Sequence, residues 1–488
     1  MKLKVKFLKL LAGRPVAILH KNFAEKASIH TDDRIYIEKR GKKLAAVVDI
    51  ATGFLKENEI VVSSEIQKII SLREKSVVEV ELAVKPESLG FIQKKLSGGR
   101  LNRQELEKIM ADIVNNVLTE SEIAYFISGI CKSDMSIEEI KDMTLAVLNT
   151  GKRLNLKGKV IDKHSIGGIP GRTTPIIVSI CSTAGLLMPK TSSRAITTPS
   201  GTADAVEVIC KVDFTIKEIK KILKKTNACL VWGGSLNIAP ADDKIIQVER
   251  LLNLAPEAQL LSSIMAKKLA VNAKVVLIEI PYGRNAKVTR KKAEELKKKF
   301  KKLAKYFRIK LKCILKRTEE PIGNGIGPLL EISDVIKVLK GESECYKLRG
   351  RALESAGQLL ELTGKAKKGK GMEMAEKILD SGKAYEKFLA IVRAQRGSIN
   401  NIEKIKAKYK RDIRADKRGK IRDIRIKQLN NLARIAGCPL DKAAGIYLHK
   451  HLNNIVKKGE KILTIYSQNK TELREALRYY RKTKPIRF

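Results

Sequence analysis

Six short apolar runs open the chain: KLKVKFL, RPVAILH, DRIYIEK, KLAAVVDI, EIVVSS and SVVEVELA. They are rich in β-branched residues and parted by turn signals, which predicts a β-rich, barrel-like domain or sandwich over residues 1–85. The period then changes. In LNRQELEKIMADIVNNVL, TESEIAYFISGICKS and SIEEIKDMTLAVLNTG, apolar residues recur at steps of three and four, the spacing of one helix face. Thr119 with Glu122, and Ser136 with Glu139, have the spacing of capping boxes, so residues 86–150 read as a small helical domain.

From about residue 155 strands and helices alternate. GKVIDKHS, LLMPKTSS, NACLVWGG, AKVVLIEIPYG and FRIKLKCILKR each lead through a loop to a helical pattern. That order predicts a mostly parallel α/β sheet over residues 151–400. Ligands of such sheets lie beyond the carboxyl ends of the strands, where the unusual loops of this chain fall. Residues 346–398 are helical in pattern, and the charge run KAKYKRDIRADKRGKIRDIR reads as a solvated face or linker. Residues 401–488 read as a C-terminal α+β domain, with KKGEKILTIYS turning between strands.

Composition narrows the class. At 488 residues and 43% apolar content the chain needs several cores. No apolar run reaches about 18 residues, so no membrane span is expected. The N-terminus reads as a strand and not as a cleaved leader, which points to a cytoplasmic location. Seven cysteines stand apart, and most read as small buried residues of a reducing compartment. With five histidines, a multi-histidine metal site is not expected. The net charge of +45 is spread along the chain and aromatics are only 5%. It reads as solvated faces, with non-specific polyanion binding at low salt as the remaining consequence.

Three loops carry candidate chemistry. The first joins Lys163, His164 and Ser165 to Gly167, Gly168 and Gly171. It fits neither the Walker nor the dinucleotide fingerprint, yet a cation, a hydroxyl and free amides in one turn suit a phosphate. An ordinary βα turn fits it equally. The second loop crowds Lys190, Thr191, Ser192, Ser193, Arg194, Thr197, Thr198, Ser200 and Thr202 between strand and helix. Two such loops in consecutive βα units imply a shared anionic ligand. The third runs from Gly233, Gly234 and Asn237 to a helix opened by Asp242 and Asp243. Beyond it Ser263 and Lys267, four apart, share a helix face, which on spacing alone also fits solvent exposure.

DKHSIGGIPG, PKTSSRAIT, GTAD, VWGGSLNIAPADDK and PIGNGIGPLLEISDV resemble the thymidine/pyrimidine nucleoside phosphorylases, and among them the archaeal AMP phosphorylases. The resemblance covers nearly the whole chain. It implies a multidomain α/β fold: a small helical domain, joined by about 237–272, faces a mixed α/β domain across a cleft. An N-terminal β-barrel-like domain and a C-terminal α+β domain flank the two. It implies that AMP, CMP or UMP reacts with phosphate to give free base and ribose 1,5-bisphosphate, without metal or organic cofactor. A homodimer or larger homo-oligomer is implied too. Lys163, Ser165, Gly167 and Gly168 would face phosphate or nucleotide. Ser193, Arg194, Ala195, Ile196, Thr197, Thr198 and Thr202, with Ser263 and Lys287, would hold AMP. His164, Arg250 and Lys267 match base-side positions.

Two positions depart from the pattern. The family's proton donor is the Asp of a DPE triplet, which here reads Ala255-Pro256-Glu257. Loss of that acid slows departure of the base by roughly 100-fold, and Glu257 or His164 are the candidate substitutes. The first loop is one residue short, with Arg172 directly after Gly171. Three readings follow: a nucleoside-monophosphate phosphorylase, a pyrimidine nucleoside phosphorylase, and a nucleotide-binding homologue impaired by Ala255 or associated with polyanions.

Overall fold

The computed structural model describes residues 1–195, 198–252 and 254–488, without the side chain of Ser343. The chain divides into two compact units, Met1–Thr150 with Pro240–Ser263, and Gly151–Ala239 with Ile264–Phe488.

The first unit begins with the six expected strands: β1 (Lys2–Phe7), β2 (Val16–His20), β3 (Arg34–Lys39), β4 (Lys42–Ala51), β5 (Glu59–Val62) and β6 (Val77–Leu82). They close into a barrel in the order β1-β5-β2-β4-β3-β6. Inward residues such as Leu3, Val5, Leu19, Ile35, Ile37 and Ile60 form its core. Two short helices, Lys21–Lys26 and Ser64–Ile70, interrupt the strands where no helix was expected. Neither is long enough to show a clear apolar period.

The helices Arg103–Val114, Glu120–Lys132 and Ile137–Asn149 follow. Both expected capping boxes form, at Thr119 with Glu122 and at Ser136 with Glu139. The helix Pro240–Leu252 completes this unit, and Lys244 Nζ binds the carbonyls of Ile113 and Val114 at 2.9 and 2.8 Å.

The second unit holds the parallel strands β7 (Ile161–Ser165), β8 (Met188–Ser192), β9 (Ala228–Trp232), β10 (Val275–Tyr282) and β11 (Lys310–Arg317). β11, β10 and β7 pair as one sheet and β8 and β9 as another, joined by a single bridge between Val160 and Leu187. Helices Thr173–Thr183, Pro328–Leu339, Tyr346–Thr363 and Lys383–Ala394 bury their apolar faces in the same core.

In the C-terminal domain the basic run is not a linker. It supplies strand Tyr409–Arg414, whose side chains are exposed or half-buried, and short strands Gly419–Lys420 and Asp423–Ile424. Alternation along an edge strand lets charge face water while the backbone pairs with Lys461–Ser467. Gly325–Ile326 pairs with Gly445–Leu448, so the PIGNGIG segment is an edge of this sheet. No helix among the described residues is long and apolar enough to cross a membrane.

Candidate active site

β7 ends at Ser165, and the first loop leads from there to the helix Thr173–Thr183. Gly168 and Gly171 have φ of +106° and +113°. A side chain at Gly171 would also press into Ile322 and the amide of Gly323, 2.5 and 2.8 Å away. Glycine is therefore demanded at Gly171 twice over. Gly167 is exposed, and Ser165 and His164 are half-buried. Lys287 is exposed and its Cβ lies 3.9 Å from where a Gly168 side chain would begin, so it belongs to the same loop cluster.

Beneath the loop lies an ionic network. Asp162 meets Lys190 at 3.2 Å and Lys268 at 2.6 Å. Lys163 meets Glu279 at 3.1 Å and the Thr173 hydroxyl at 3.2 Å, and Glu279 also meets Arg351 at 2.6 Å. Lys163, Lys190 and Lys268 are 2%, 5% and 1% exposed, so these charges have little water to stabilise them. Four basic side chains face two carboxylates in this network, and with Lys268 titrating near neutrality the network keeps an excess of between one and two positive charges. Burial lowers the pKa of Lys268 to about 7 against the pull of Asp162. Burial, then Lys268, Lys190, Lys267 and Lys163, hold His164 well below the usual imidazole range. His164 is thus a neutral hydrogen-bonding ring at neutral pH.

Arg172, directly after Gly171, has partners outside this network. Its Nε lies 2.5 Å from Glu331 Oε2, and its other end donates to the Ser200 carbonyl. Glu331 is fully buried, and desolvation raises its pKa to about 7 despite Arg172. The added guanidinium is used to neutralise a buried carboxyl.

The second loop follows β8. Ser193 and Arg194 open it and Thr198 and Thr202 close it, while Ile196 and Thr197 lie outside the described residues. Asp204 Oδ2 accepts the amides of Ala195 and Gly201 at 2.7 and 2.8 Å, tying the two ends together. Arg194 makes two bonds to Glu207, at 2.6 and 2.7 Å, and stacks 4.7 Å from the Trp232 ring. Its pKa rises and that of Glu207 falls to about 2, chiefly through their mutual hydrogen bonds. The Ser192 hydroxyl is buried without a hydrogen-bond partner among the described residues.

The remaining expected residues divide between the units. Arg250 is exposed on the helix Pro240–Leu252. Ala255 is exposed, and Glu257 is half-buried as the first residue of the helix Glu257–Ala270. Ser263, on that helix, donates to Asp242 at 2.9 Å, and Gln259 donates to the same carboxylate at 2.8 Å. Lys267, one turn on from Ser263, is half-buried and acts on His164.

Sequence reasoning missed Asp162, Lys268, Glu279 and Arg351 as members of the site. Glu279 had a signal, a carboxylate inside the apolar strand VVLIEIPY. Lys268 and Arg351 had none, because a lysine or arginine on a helix reads as solvated. Among the described residues no group of three or more metal-ligating side chains is found.

Residues 90–151 match the family described as "Glycosyl transferase family, helical bundle domain", and residues 157–385 the one described as "Glycosyl transferase family, a/b domain". Residues 420–487 match "Pyrimidine nucleoside phosphorylase C-terminal domain". The crystal structure of anthranilate phosphoribosyltransferase from Thermus thermophilus shares the fold, with a TM-score of 0.53 at 14% identity over 63% of this chain and 99% of that one. These likenesses define a glycosyl transferase fold with helical, α/β and C-terminal parts. An AMP phosphorylase of Methanocaldococcus jannaschii is 40% identical over 93% of this chain and 91% of its own. One of Methanospirillum hungatei is 39% identical over 98% and 93%, and one of Methanococcus maripaludis 38% over 99% and 97%. The chain belongs to the AMP phosphorylase family, and with it to the glycosyl-transferring enzymes.

Proposed function

We propose that this chain phosphorolyses nucleoside 5′-monophosphates. AMP and phosphate give adenine and ribose 1,5-bisphosphate, with CMP and UMP as further substrates, in nucleotide breakdown and salvage. The carrying observation is the buried network beneath the first loop, where four basic side chains meet two carboxylates. Such a surplus favours an anion at the glycine amides above it. In this reading Lys163, Ser165, Gly167 and Gly168 address the attacking phosphate. The second loop, with Ser263 and Lys287, addresses the nucleotide. His164, Arg250 and Lys267 stand on the base side.

The reaction displaces a base from C1′ through a state with oxocarbenium character, so two anions must be held and oriented together. The departing base needs a proton. Ala255 removes the family's acid, and burial, with the lysines around it, keeps His164 neutral. Glu257, half-buried two positions from Ala255, is the better candidate donor. No metal or organic cofactor enters this scheme. The four-domain division at about residues 85, 150 and 400 and the homo-oligomer that the resemblance implies belong to the same proposal. Ala255 also favours a second reading, a nucleotide-binding homologue with little turnover.

The test is base release from AMP, CMP, UMP and thymidine, with and without phosphate, by the native chain and Ala255→Asp. Phosphate-dependent adenine release by the native chain is expected, with Ala255→Asp faster by about 100-fold. AMP binding with no release from either protein overturns the enzymatic reading. Preference for thymidine overturns the monophosphate.

A further inference from the structure

The second loop is governed from the C-terminal domain. Asp204, 2% exposed, holds the loop's two ends through the Ala195 and Gly201 amides. Arg194 in turn holds Asp204 at 3.3 Å and Glu207 by two bonds. Asp213 also lies 3.9 Å from Arg194, so three carboxylates share one guanidinium and leave a net negative charge beside the loop that is to receive a nucleotide phosphate. Lys442 supplies the second cation. Its Nζ lies 2.6 Å from Glu207 Oε2, across 235 positions of sequence. Its backbone is anchored, since the Lys442 carbonyl accepts from the Leu329 amide at 3.1 Å and Ala443 is buried in the α/β core. The same domain also reaches the first loop, where Asn430 donates to the Gly168 carbonyl at 3.2 Å.

We propose that Lys442 is a positioning residue for nucleotide binding: it holds Glu207, and through it Arg194 and the Asp204 clamp, and cancels a carboxylate charge that would repel the substrate's phosphate. The proposal rests on the nucleotide reading above. It makes the C-terminal domain part of the nucleotide loop's support.

The experiment measures kcat and the separate KM values for AMP and phosphate in the native chain, Lys442→Met and Lys442→Arg. In Lys442→Met the KM for AMP rises about three- to tenfold, the worth of one half-exposed charge-assisted bond. KM for phosphate and kcat stay within about twofold, since a loop held in place acts on nucleotide binding alone. Lys442→Arg restores the native values. Trp232 is the only tryptophan of the chain, so its emission reads the stacked Arg194 directly. It shifts in Lys442→Met and returns in Lys442→Arg. An unchanged KM for AMP in Lys442→Met overturns the proposal. So does a joint rise of both KM values with a lowered unfolding midpoint, the mark of a merely structural residue. A native chain that binds AMP without phosphorolysing it sinks the parent reading instead. AMP titrations of Trp232 emission then decide Lys442 alone, and equal affinity in native and Lys442→Met overturns it.

Discussion

The barrel core is built from Leu3, Val5, Leu19, Ile35, Val48 and Ile60, none of them charged. In the α/β domain, β7, β8 and β10 turn Asp162, Lys163, Lys190 and Glu279 into an interior equally closed to water. Both regions are strand-built, and each strand is short. The barrel's packing is a sufficient reason for its residues, because apolar burial stabilises without partners. Packing is no reason for buried ions, which well-chosen apolar residues would replace at equal or better stability. On the proposed function, the charges beneath the first loop serve the anion that the loop receives. The contrast sets residues whose packing is reason enough beside residues whose burial packing alone does not account for.

The largest effect that tests this contrast is expected at Asp162. Asp162→Asn leaves Lys190 and Lys268 against a neutral amide, at 3.2 and 2.6 Å, and costs about 3–5 kcal/mol in urea unfolding. Adding Lys268→Met to that variant recovers part of the loss, because one unpaired cation is removed. In the barrel, Leu19→Ala costs a comparable ~2–5 kcal/mol through its cavity, yet leaves the KM for phosphate unchanged. Asp162→Asn raises that KM. Equal effects of both variants on phosphate would erase the distinction.

The two regions also differed in how far the sequence revealed them. All six barrel strands were legible, because apolar period and turn residues are local signals. The five parallel strands were legible for the same reason, as were both capping boxes. The loops of the site could be found from their glycines and hydroxyls. What lay beyond reach was pairing across distance. Asp162 was visible only as the residue before Lys163, whereas its partners come from β8 and from a helix 106 positions away. Arg172 was visible only as the residue that follows a shortened loop, whereas its partner Glu331 lies far along the chain. Lys442 lay in a domain with no chemical signal at all. The basic run at 406–425 showed charge but hid its strands, since composition outweighs a period of two in so short an element.

A smaller effect is expected from pH. Lys268 faces Asp162, Lys190, Lys267 and His164, and burial lowers its pKa from 10.5 to about 7. Below pH 7 both folded and unfolded chains carry its proton, and it adds no slope. Between pH 7 and 10.5 the unfolded chain binds more protons than the folded one, so stability rises with pH there. Relative to Lys268→Met, the native chain gains about 1 kcal/mol from pH 7 to 8. Urea midpoints of both proteins across that range give the difference. A flat difference would mean that Lys268 keeps its proton, held by Asp162 against the desolvation of its site.

The smallest effect is expected where charge is densest. The helix Arg290–Tyr306 carries Lys291, Lys298, Lys302 and Lys305 on its exposed side, and buries Leu296, Phe300 and Leu303 on the other. Its lysines are solvated, so their Coulomb energies are small and screened within about 8 Å at physiological salt. Replacing these four by glutamine changes stability by no more than about 0.5 kcal/mol each, and the kinetics with AMP remain native. Retention on a polyanion column falls, and its salt dependence becomes shallower, because fewer counterions are released. A loss of several kcal/mol, or a raised KM for phosphate, would show that solvated lysines act as the buried ones do. The opposite outcome leaves the chain's net charge of +45 as a property of its surface, and the site's affinity to the few cations that water does not reach.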